Sequence, residues 1–277
     1  GRVGGVQGGG GWRGGVGSEG EWRVDRWASW REAWMDQAVD HGWMEASGEG
    51  VLLKDGPAVV GHWLDGIDVL TGTTVVRVEG QDELWSVSDD AGNQWTASAV
   101  VLTAPLPQLH RLLEEAPDAW STHAYEPTWS VVIANETTAP PSLSEVLSTK
   151  GFLVEAGDDV RGLVVHLPSQ WSQEYLEMEP TDVVRAWLSM VNDLDDGMFA
   201  WIKTATLQAH RWRYGRSNEV AVGAHLPSIV EAGDAWSEPT GTGGAALRSG
   251  AWAAAKIAWL FGQNQQPRAP VVQQTLF

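Results

Sequence analysis

One stretch of the chain joins a strand, an acidic turn and a glycine-rich helix start: EAGDAWSEPTGTGGAALRSGAWAAAKI, residues 231–257. Gly233 and Asp234 follow an apolar run, and an Ala-rich helix begins after a loop rich in Gly, Pro and Thr. A helix start carries about half a positive charge and roughly four unpaired N–H groups, which suit a pyrophosphate. The pattern therefore indicates a cofactor site, although tight packing of a helix on a sheet would use the same small residues.

The residue types in this stretch assign two roles. Asp234 lies where a carboxylate can bind ribityl or ribose hydroxyls. Small residues at the helix start let backbone N–H groups approach a ligand closely. These small residues are Gly241, Gly243, Gly244, Ala245 and Ala246.

A second candidate is the segment QAHRWRY, which has the pattern of a strand. Successive side chains of a strand point to opposite faces, so His210, Trp212 and Tyr214 share one face. Arg211 and Arg213 share the other. An aromatic face could border a bound cofactor or substrate, and ordinary packing between domains would explain it nearly as well.

Several familiar catalytic patterns are missing or stand in the wrong context. GVGSEG matches G-x-G-x-x-G through Gly15, Gly17 and Gly20, but no apolar strand precedes it, so we reject it as a dinucleotide fingerprint. There is no cysteine, no G-x-S-x-G and no Gly-Lys-Ser/Thr phosphate loop. The seven histidines have no short ligand spacing, so we expect no metal site.

Composition limits the partners. The 277 residues carry a net charge of -18, from 36 acids and 18 bases, which argues against a nucleic-acid or anionic-membrane partner. No apolar run approaches the length of a membrane span and no signal peptide is visible, so we expect a cytoplasmic protein. The chain opens on Gly1 rather than Met, so we expect either processing or a missing upstream part.

The first half of the chain passes from loop to helix to β-structure. Residues 1–20 are half glycine and predict loop, and Trp27, Trp30, Trp34 and Ala38 then have the spacing of an amphipathic helix. The segments DVLTG, VVRVEG and LWSVSDD predict short strands, with DDAGNQW as a hairpin connection. AVVLTAP predicts a buried parallel strand, and PLPQLHRLLEEA a short helix.

Residues 121–213 predict a separate mixed or antiparallel sheet. Its strands are TWSVVIA, FLVE, GLVVHL and KTATLQAHRWRYG, with a helix in TDVVRAWLSMVNDL. The last part returns to α/β character through VAVGAHL, SIVEAG and a helix that ends at Gly262. The order predicts an α/β (α+β) fold, in which a nucleotide-type domain is interrupted by an inserted mixed β-sheet domain.

Several segments, taken in order, resemble one family, the renalase-like FAD-dependent oxidoreductases, relatives of the flavin amine oxidases. Gly1 to Gly5 resembles the family's R-x-G-G-R segment, and Ala104 to Gln108 its small-x-Pro-x-Pro-Gln turn. LVVHLPSQWSQEYL is similar to V-H-x-S-P-x-W-S-x-x-x-L, and AHRWRYG to the H-R-W-R-Y strand. AGDAWSEPTGTGGAALRSG resembles the carboxyl-terminal flavin motif. The resemblance runs from about Leu53 to Phe261, with weaker similarity at the amino end.

The resemblance implies a Rossmann-like FAD-binding domain at 1–20, 64–115 and 214–262, a substrate domain at 21–63 and 116–213, and a flexible tail at 263–277. It implies a small-molecule substrate such as a dihydronicotinamide dinucleotide isomer, with oxygen as the electron acceptor. The implied FAD-binding residues are Arg2, Gly4, Gly5, Val75, Ala104, Gly233, Asp234, Gly244, Ala245 and Ala246. The implied substrate-facing catalytic residues are His210, Trp212 and Tyr214.

The chain also departs from the family pattern. The family begins with a strand, a G-x-G-x-x-G turn and a helix, and this unit is absent; Val6 replaces the second Arg of R-x-G-G-R. Two alternatives therefore stay open. The chain could be a truncated or degenerate relative without flavin that acts as a structural or protein-binding module. It could also be an amine or polyamine oxidase of the same fold.

Overall fold

The computed structural model describes residues 4–7, 13–16, 21–22, 39–47, 50–53, 56–81, 84–156, 161–238, 240–241 and 243–262. Three predictions lie outside these residues: the role of Arg2, the tryptophan helix up to Ala38, and the tail at 263–277. Gly17 and Gly20 lie outside them too.

Fourteen strands and eight helices are assigned within the described residues. The strands are β1 Gly4–Gln7, β2 Arg13–Val16, β3 Glu21–Trp22, β4 Met44–Ser47, β5 Gly50–Leu53, β6 Val75–Gln81, β7 Leu84–Asp89, β8 Gln94–Ala97, β9 Val100–Leu102, β10 Tyr125–Ala134, β11 Leu153–Ala156, β12 Gly162–His166, β13 Thr206–Ser217 and β14 Ile229–Glu231. The helices are α1 Gly56–Trp63, α2 Leu106–Leu112, α3 Asp118–Thr122, α4 Leu143–Thr149, α5 Ser169–Glu174, α6 Pro180–Met190, α7 Asp196–Thr204 and α8 Gly243–Gly262.

The chain divides into two compact units. Unit 1 comprises residue 1, residues 61–124 and residues 216–277, and unit 2 comprises residues 2–60 and 125–215. The predicted domain bounds differ from this division at 2–20, 61–63, 116–124 and 214–215, which fall in the opposite unit. The assignment of the two domains to FAD and to substrate stays a prediction.

Unit 2 is built around one four-stranded sheet in the order β11-β12-β10-β13. β12 pairs antiparallel with both β11 and β10. Side chains alternate along β10, so Trp129, Val131 and Ile133 point into a core formed with α4, α6 and α7. Val132 lies on the other face, beside Val164 and Trp212.

The helices of unit 2 follow their sequence signals. In α6 and the turn after it, Val183, Trp187 and Val191 recur at helical spacing and are buried in the core, as the sequence predicts. Asp195 caps α7, because its carboxylate accepts a 2.9 Å hydrogen bond from the backbone N–H of Met198.

Two predictions for unit 2 were wrong in detail. The glycine-rich opening is not all loop, because β1 and β2 pair antiparallel, with Gly4 opposite Val16 and Gly5 opposite Gly15. Backbone pairing uses no side chain, so a glycine-rich segment can still form a ladder. Lys203 and Thr204 belong to α7 rather than to the strand β13.

Unit 1 contains two small sheets. β6, β7 and β8 form an antiparallel meander, and β9 lies parallel to β14. The predicted hairpin between β7 and β8 is present, and Asp89 accepts hydrogen bonds from the side chain and backbone of Asn93 and from the N–H of Ala91. The bond from the Asn93 side chain lowers the pKa of Asp89 most, and the backbone bonds act in the same direction.

The parallel pairing of β9 with β14 confirms the prediction from AVVLTAP and SIVEAG. Their shared core is completed by α8, through Ala253 and Ile257. β9 is less buried than expected, since Leu102 is fully buried but Val100 and Val101 are only partly so. α2 forms as predicted, with Leu109 inward.

The prediction of a strand in DVLTG was wrong, because residues 68–72 have no strand pairing. The VAVGAHL segment, residues 220–226, has no strand pairing either. In the second segment the backbone bonds go elsewhere. The N–H of Ala224 donates to Glu231 Oε1 at 2.8 Å, and the carbonyl of Val222 accepts from Trp120 Nε1. His225 has a left-handed φ of 55°, which interrupts an extended strand.

Candidate functional site

The carboxyl ends of two parallel strands lie side by side in unit 1. The N–H of Ala232 donates to the carbonyl of Leu102 at 2.9 Å, which extends the pairing just beyond β14. Gly233 and Asp234 come two and three residues after β14 ends, and Ala104 comes two residues after β9 ends. Ligands of open α/β sheets bind outside the carboxyl ends of such strands. The structure thus brings three predicted cofactor residues to one edge.

Gly233 is held there by α8. Its N–H donates to Ser249 Oγ at 2.9 Å, and the same hydroxyl donates back to the carbonyl of Gly233 at 2.8 Å. The φ of Gly233 is +137°, a conformation that side-chain-bearing residues rarely adopt. A buried serine two turns into the helix therefore fixes the turn that carries Asp234.

The loop between Asp234 and α8 folds back on the turn. The N–H of Gly241 donates to the backbone carbonyl of Asp234 at 2.9 Å. Gly241 has a φ of +70°, and a Cβ added to it would collide with Cγ of Arg216 and lie 2.8 Å from the carbonyl of Ser217. Glycine is required at this position for both reasons.

The amino end of α8 is electrostatically suited to an anion. Gly244 and Ala245 are buried and Ala246 is half-buried, so small residues pack the first turn closely. No acidic residue lies in that turn to oppose the positive end of the helix dipole. Val75 lies in another part of unit 1, at the start of β6 and opposite Asp89.

A polar group that the sequence did not predict lies in the same unit. The His123 side chain is about 5% exposed; its Nε2 lies 2.8 Å from Ser217 Oγ and its Nδ1 3.6 Å from Glu219 Oε1. Burial lowers the pKa of His123, although the carboxylates of Glu219 and Asp234 act in the opposite direction. His123 and Ser217 lie 94 residues apart in the chain, so no local pattern could have joined them.

The aromatic strand lies in unit 2 and alternates as predicted. The rings of His210 and Trp212 are 4.3 Å apart in an edge arrangement, and the ring of Tyr214 is 5.4 Å from that of Tyr125. Burial lowers the pKa of His210. Whether this face meets a substrate stays a prediction.

The opposite face of β13 carries an ion-pair cluster. Arg211 and Arg213 both bind Glu177, at 2.8 Å and 2.7 Å. The hydrogen bond from Arg213 lowers the pKa of Glu177 most, with Arg211 adding to it. Both arginines are thereby tied to the turn after α5.

Trp212 is held by a buried hydrogen-bonded group that sequence reasoning missed. Its indole N–H donates to Ser130 Oγ at 3.1 Å, and Ser130 Oγ lies 2.7 Å from His166 Nδ1. The register of the sheet, with Ser130 opposite His166, creates this contact. Trp171 packs against the core, and its ring lies 4.8 Å from that of Tyr175.

The described residues include neither a metal-binding cluster nor a membrane-spanning helix. No group of three or more His, Asp or Glu side chains among them could hold a metal ion. In the same part of the chain no helix is long and apolar enough to cross a membrane.

No protein-family model matches the sequence, and no curated protein matches it. Among solved structures, a double mutant from a structure-based redesign of cofactor binding in putrescine oxidase matches at 16% identity, with a TM-score of 0.50. The match covers 76% of this chain and 54% of that chain, so this chain spans about half the length of the putrescine oxidase structure. A triple mutant from the same redesign matches over the same shares, at 16% identity and a TM-score of 0.49. The chain therefore has a mixed α/β fold similar to that of putrescine oxidase.

Proposed function

We propose that this chain is part of a FAD-dependent oxidoreductase of the renalase and amine-oxidase type. One observation carries the proposal: two parallel strands end beside each other, and a glycine turn leads from one of them into a helix start. This is the arrangement in which α/β proteins bind dinucleotide phosphates. The fold similarity to an enzyme with a cofactor, putrescine oxidase, supports it.

The proposed cofactor site is formed by the following residues. Asp234 would accept hydrogen bonds from ribityl or ribose hydroxyls, and the N–H groups at Gly244, Ala245 and Ala246 would face phosphate oxygens. Gly233 and Ala104 would leave room for close approach. Val75 would meet the adenine, and Arg2, Gly4 and Gly5 would lie near the flavin.

A bound FAD would supply two-electron redox chemistry, in which an electron-rich substrate is oxidised and oxygen is reduced to peroxide. The protein would supply placement and exclusion of water. His210, Trp212 and Tyr214 would border the substrate, which we propose to be a dihydronicotinamide dinucleotide isomer or a small amine. A cytoplasmic location and the absence of nucleic-acid and membrane partners belong to the same proposal.

The alternative, a flavin-free structural or protein-binding module, is favoured by one surface feature. Trp252 and Trp259 lie two turns apart on α8 and are 58% and 62% exposed. Large exposed aromatic side chains are common in protein-binding surfaces.

The test is a visible absorption spectrum of the purified chain before and after adding FAD, repeated with Asp234→Asn. A bound-flavin spectrum that is bleached by a dihydronicotinamide or by putrescine under anaerobic conditions supports the oxidoreductase and identifies the substrate class. The Asp234→Asn chain should bind FAD more weakly. A colourless chain that leaves the spectrum of added FAD unchanged contradicts the proposal and favours the module.

A further inference from the structure

Two buried polar side chains lie on the face of the unit 2 sheet that is opposite the apolar core. Ser130 on β10 is fully buried, and His166 on β12 is 4% exposed. Side chains alternate along a strand, so Ser130 shares its face with Val132, which packs with Val164 and Trp212. The aromatic strand β13 therefore contacts this buried polar pair through Trp212.

The hydroxyl of Ser130 connects Trp212 to His166. The indole N–H of Trp212 donates to Ser130 Oγ at 3.1 Å, and Ser130 Oγ lies 2.7 Å from His166 Nδ1. Within the described residues the hydroxyl makes these two hydrogen bonds and no others, so its single proton points to His166 Nδ1. The three groups thus form one directed chain of hydrogen bonds, from the indole through the hydroxyl to the imidazole.

This chain of hydrogen bonds restricts the rotation of the Trp212 side chain. The torsion about the bond between Cβ and an aromatic ring has broad energy wells, so packing alone defines the plane of the indole loosely. A hydrogen bond at the indole edge removes that freedom, and it is strengthened because the accepting hydroxyl itself donates to His166. The ring of His210 lies 4.3 Å from that of Trp212, so the arrangement of this ring pair depends on the same bond.

We propose that Ser130 is a positioning residue: its hydroxyl, oriented by His166, fixes the plane of the Trp212 indole and thereby the aromatic surface on which the substrate binds. The proposal rests on the substrate-bordering role proposed above for Trp212. Ser130 is fully buried, so it acts on the substrate only through the indole. Loss of its hydroxyl should therefore weaken substrate binding and leave FAD binding unchanged.

The structural part is tested without cofactor or substrate. The indole N–H signal of Trp212 is observed by proton–nitrogen correlation NMR and assigned from its loss in Trp212→Phe. In Ser130→Ala the indole proton should shift upfield and exchange faster with water, because its acceptor is gone. The signal of Trp120, whose N–H donates to the carbonyl of Val222 in unit 1, should not move. An unchanged Trp212 signal overturns the inference.

The role of His166 is tested by two substitutions at one position. His166→Asn keeps an acceptor near the position of Nδ1, whereas His166→Leu removes it. His166→Leu should shift the Trp212 indole signal in the same direction as Ser130→Ala, and His166→Asn should leave it close to its wild-type position. Equal shifts in the two variants overturn the part of the inference that concerns His166.

The functional link is tested on the chain loaded with FAD, by anaerobic reduction with a dihydronicotinamide dinucleotide or with putrescine, whichever bleaches the flavin. Ser130→Ala should raise the half-saturating concentration of this donor roughly three- to tenfold, with the Kd of FAD unchanged. Trp212→Phe keeps an aromatic ring but has no N–H, so it should give a rise of similar size. Ser148→Ala, which removes an exposed hydroxyl on α4 of the same unit, is the matched control and should behave as the wild type.

A double variant separates positioning from a general loss of packing. If Ser130 acts only through the indole N–H, adding Ser130→Ala to Trp212→Phe should raise the half-saturating concentration no further than either substitution alone. A rise equal to the product of the two separate rises overturns the inference.

The outcome for the wild type distinguishes the two proposals. If the wild type binds no FAD, or if neither donor bleaches the bound flavin, the proposed function fails and the substrate part of the inference fails with it. The NMR measurement still decides whether Ser130 orients Trp212. If the wild type is reduced normally and Ser130→Ala is reduced in the same way, the inference fails and the proposed function stands.

Discussion

The two units are stabilised in different ways. Unit 2 contains a continuous apolar core, in which Trp129, Trp187, Leu143 and Leu163 pack between one sheet and its helices. The core between β9, β14 and α8 in unit 1 is small and alanine-rich. Around the strand ends of unit 1, hydrogen bonds with the buried side chains of Ser249, Glu231 and Ser217 hold the turns instead.

We infer from this difference that unit 2 contributes most of the stability and unit 1 the candidate ligand site. A large apolar core gives stability without depending on a ligand. A small core with polar turns leaves backbone N–H and C=O groups near the surface, where a ligand could form hydrogen bonds with them. We therefore expect core substitutions in unit 2 to affect stability most, and substitutions in unit 1 to affect the candidate site.

The largest effect should come from Trp187→Ala in unit 2. Trp187 is fully buried, and its loss should lower the free energy of unfolding by about 3–5 kcal/mol, because it leaves a large cavity. Urea unfolding followed by circular dichroism measures it.

Trp187→Phe is the matched control. Within the described residues Trp187 Nε1 has no hydrogen-bond partner, so phenylalanine removes a buried unsatisfied N–H as well as some volume. Trp129→Phe instead breaks the 3.0 Å bond from Trp129 Nε1 to the carbonyl of Tyr175. A cost for Trp187→Phe as large as that for Trp129→Phe would contradict this account.

The next largest effect should come from Gly241→Ala in unit 1. The added Cβ would collide with Arg216, and the alanine would have to adopt a left-handed φ. We therefore expect the free energy of unfolding to fall by roughly 2–3 kcal/mol. Gly92→Ala is the control, since its φ is +86° but no atom lies within 4 Å of the added Cβ. It should cost only about 1 kcal/mol. Equal losses in urea unfolding would show that the collision is relieved at little cost.

A smaller effect is expected for Asp195→Ala in unit 2. It removes the cap of α7 and should lower the free energy of unfolding by about 1 kcal/mol. Asp195→Ser should recover most of this loss, because serine also accepts a hydrogen bond from the helix N–H. Failure of serine to recover stability would mean that the carboxylate has another role.

The smallest effect is the pH dependence of stability that one histidine in each unit should cause. Burial lowers the pKa of both His123 and His210 from the ordinary 6.5, so below that pH the unfolded chain binds more protons than the folded chain. Stability should be unaffected above that pH and should fall as the pH drops below it. His123→Gln and His210→Gln should each flatten the fall in the urea midpoint, because glutamine gains no proton in this pH range. An unchanged slope in both variants would contradict the shifts.

Much of the fold could be predicted where local pattern and packing agree. The helical spacing of Val183 and Trp187 predicted α6, and the apolar run before Thr103 predicted a parallel strand, because each element buries the face that its sequence shows. The segment at 220–226 shows the limit of such patterns, since it contains apolar residues but forms no strand. Its backbone bonds are made to Trp120 and Glu231, which lie outside the segment.

The candidate site was predictable only in part. Gly233 and Asp234 follow a strand in the sequence, so their place at its end could be inferred. The contacts of His123 with Ser217, and of Trp212 with Ser130, join residues 94 and 82 positions apart. Such contacts depend on tertiary packing, which no local periodicity encodes.

Ser249 has a further consequence for how unit 1 opens. Its oxygen accepts from the N–H of Gly233, and its single proton lies within hydrogen-bond distance of two carbonyls, that of Gly233 at 2.8 Å and that of Ala246 within α8 at 2.9 Å. The Gly233 amide can therefore exchange its hydrogen with water only when its hydrogen bond to Ser249 on α8 breaks. We expect the Gly233 amide to exchange at the rate of α8 rather than at the rate of an ordinary turn, so the helix and the turn should open as one cooperative segment.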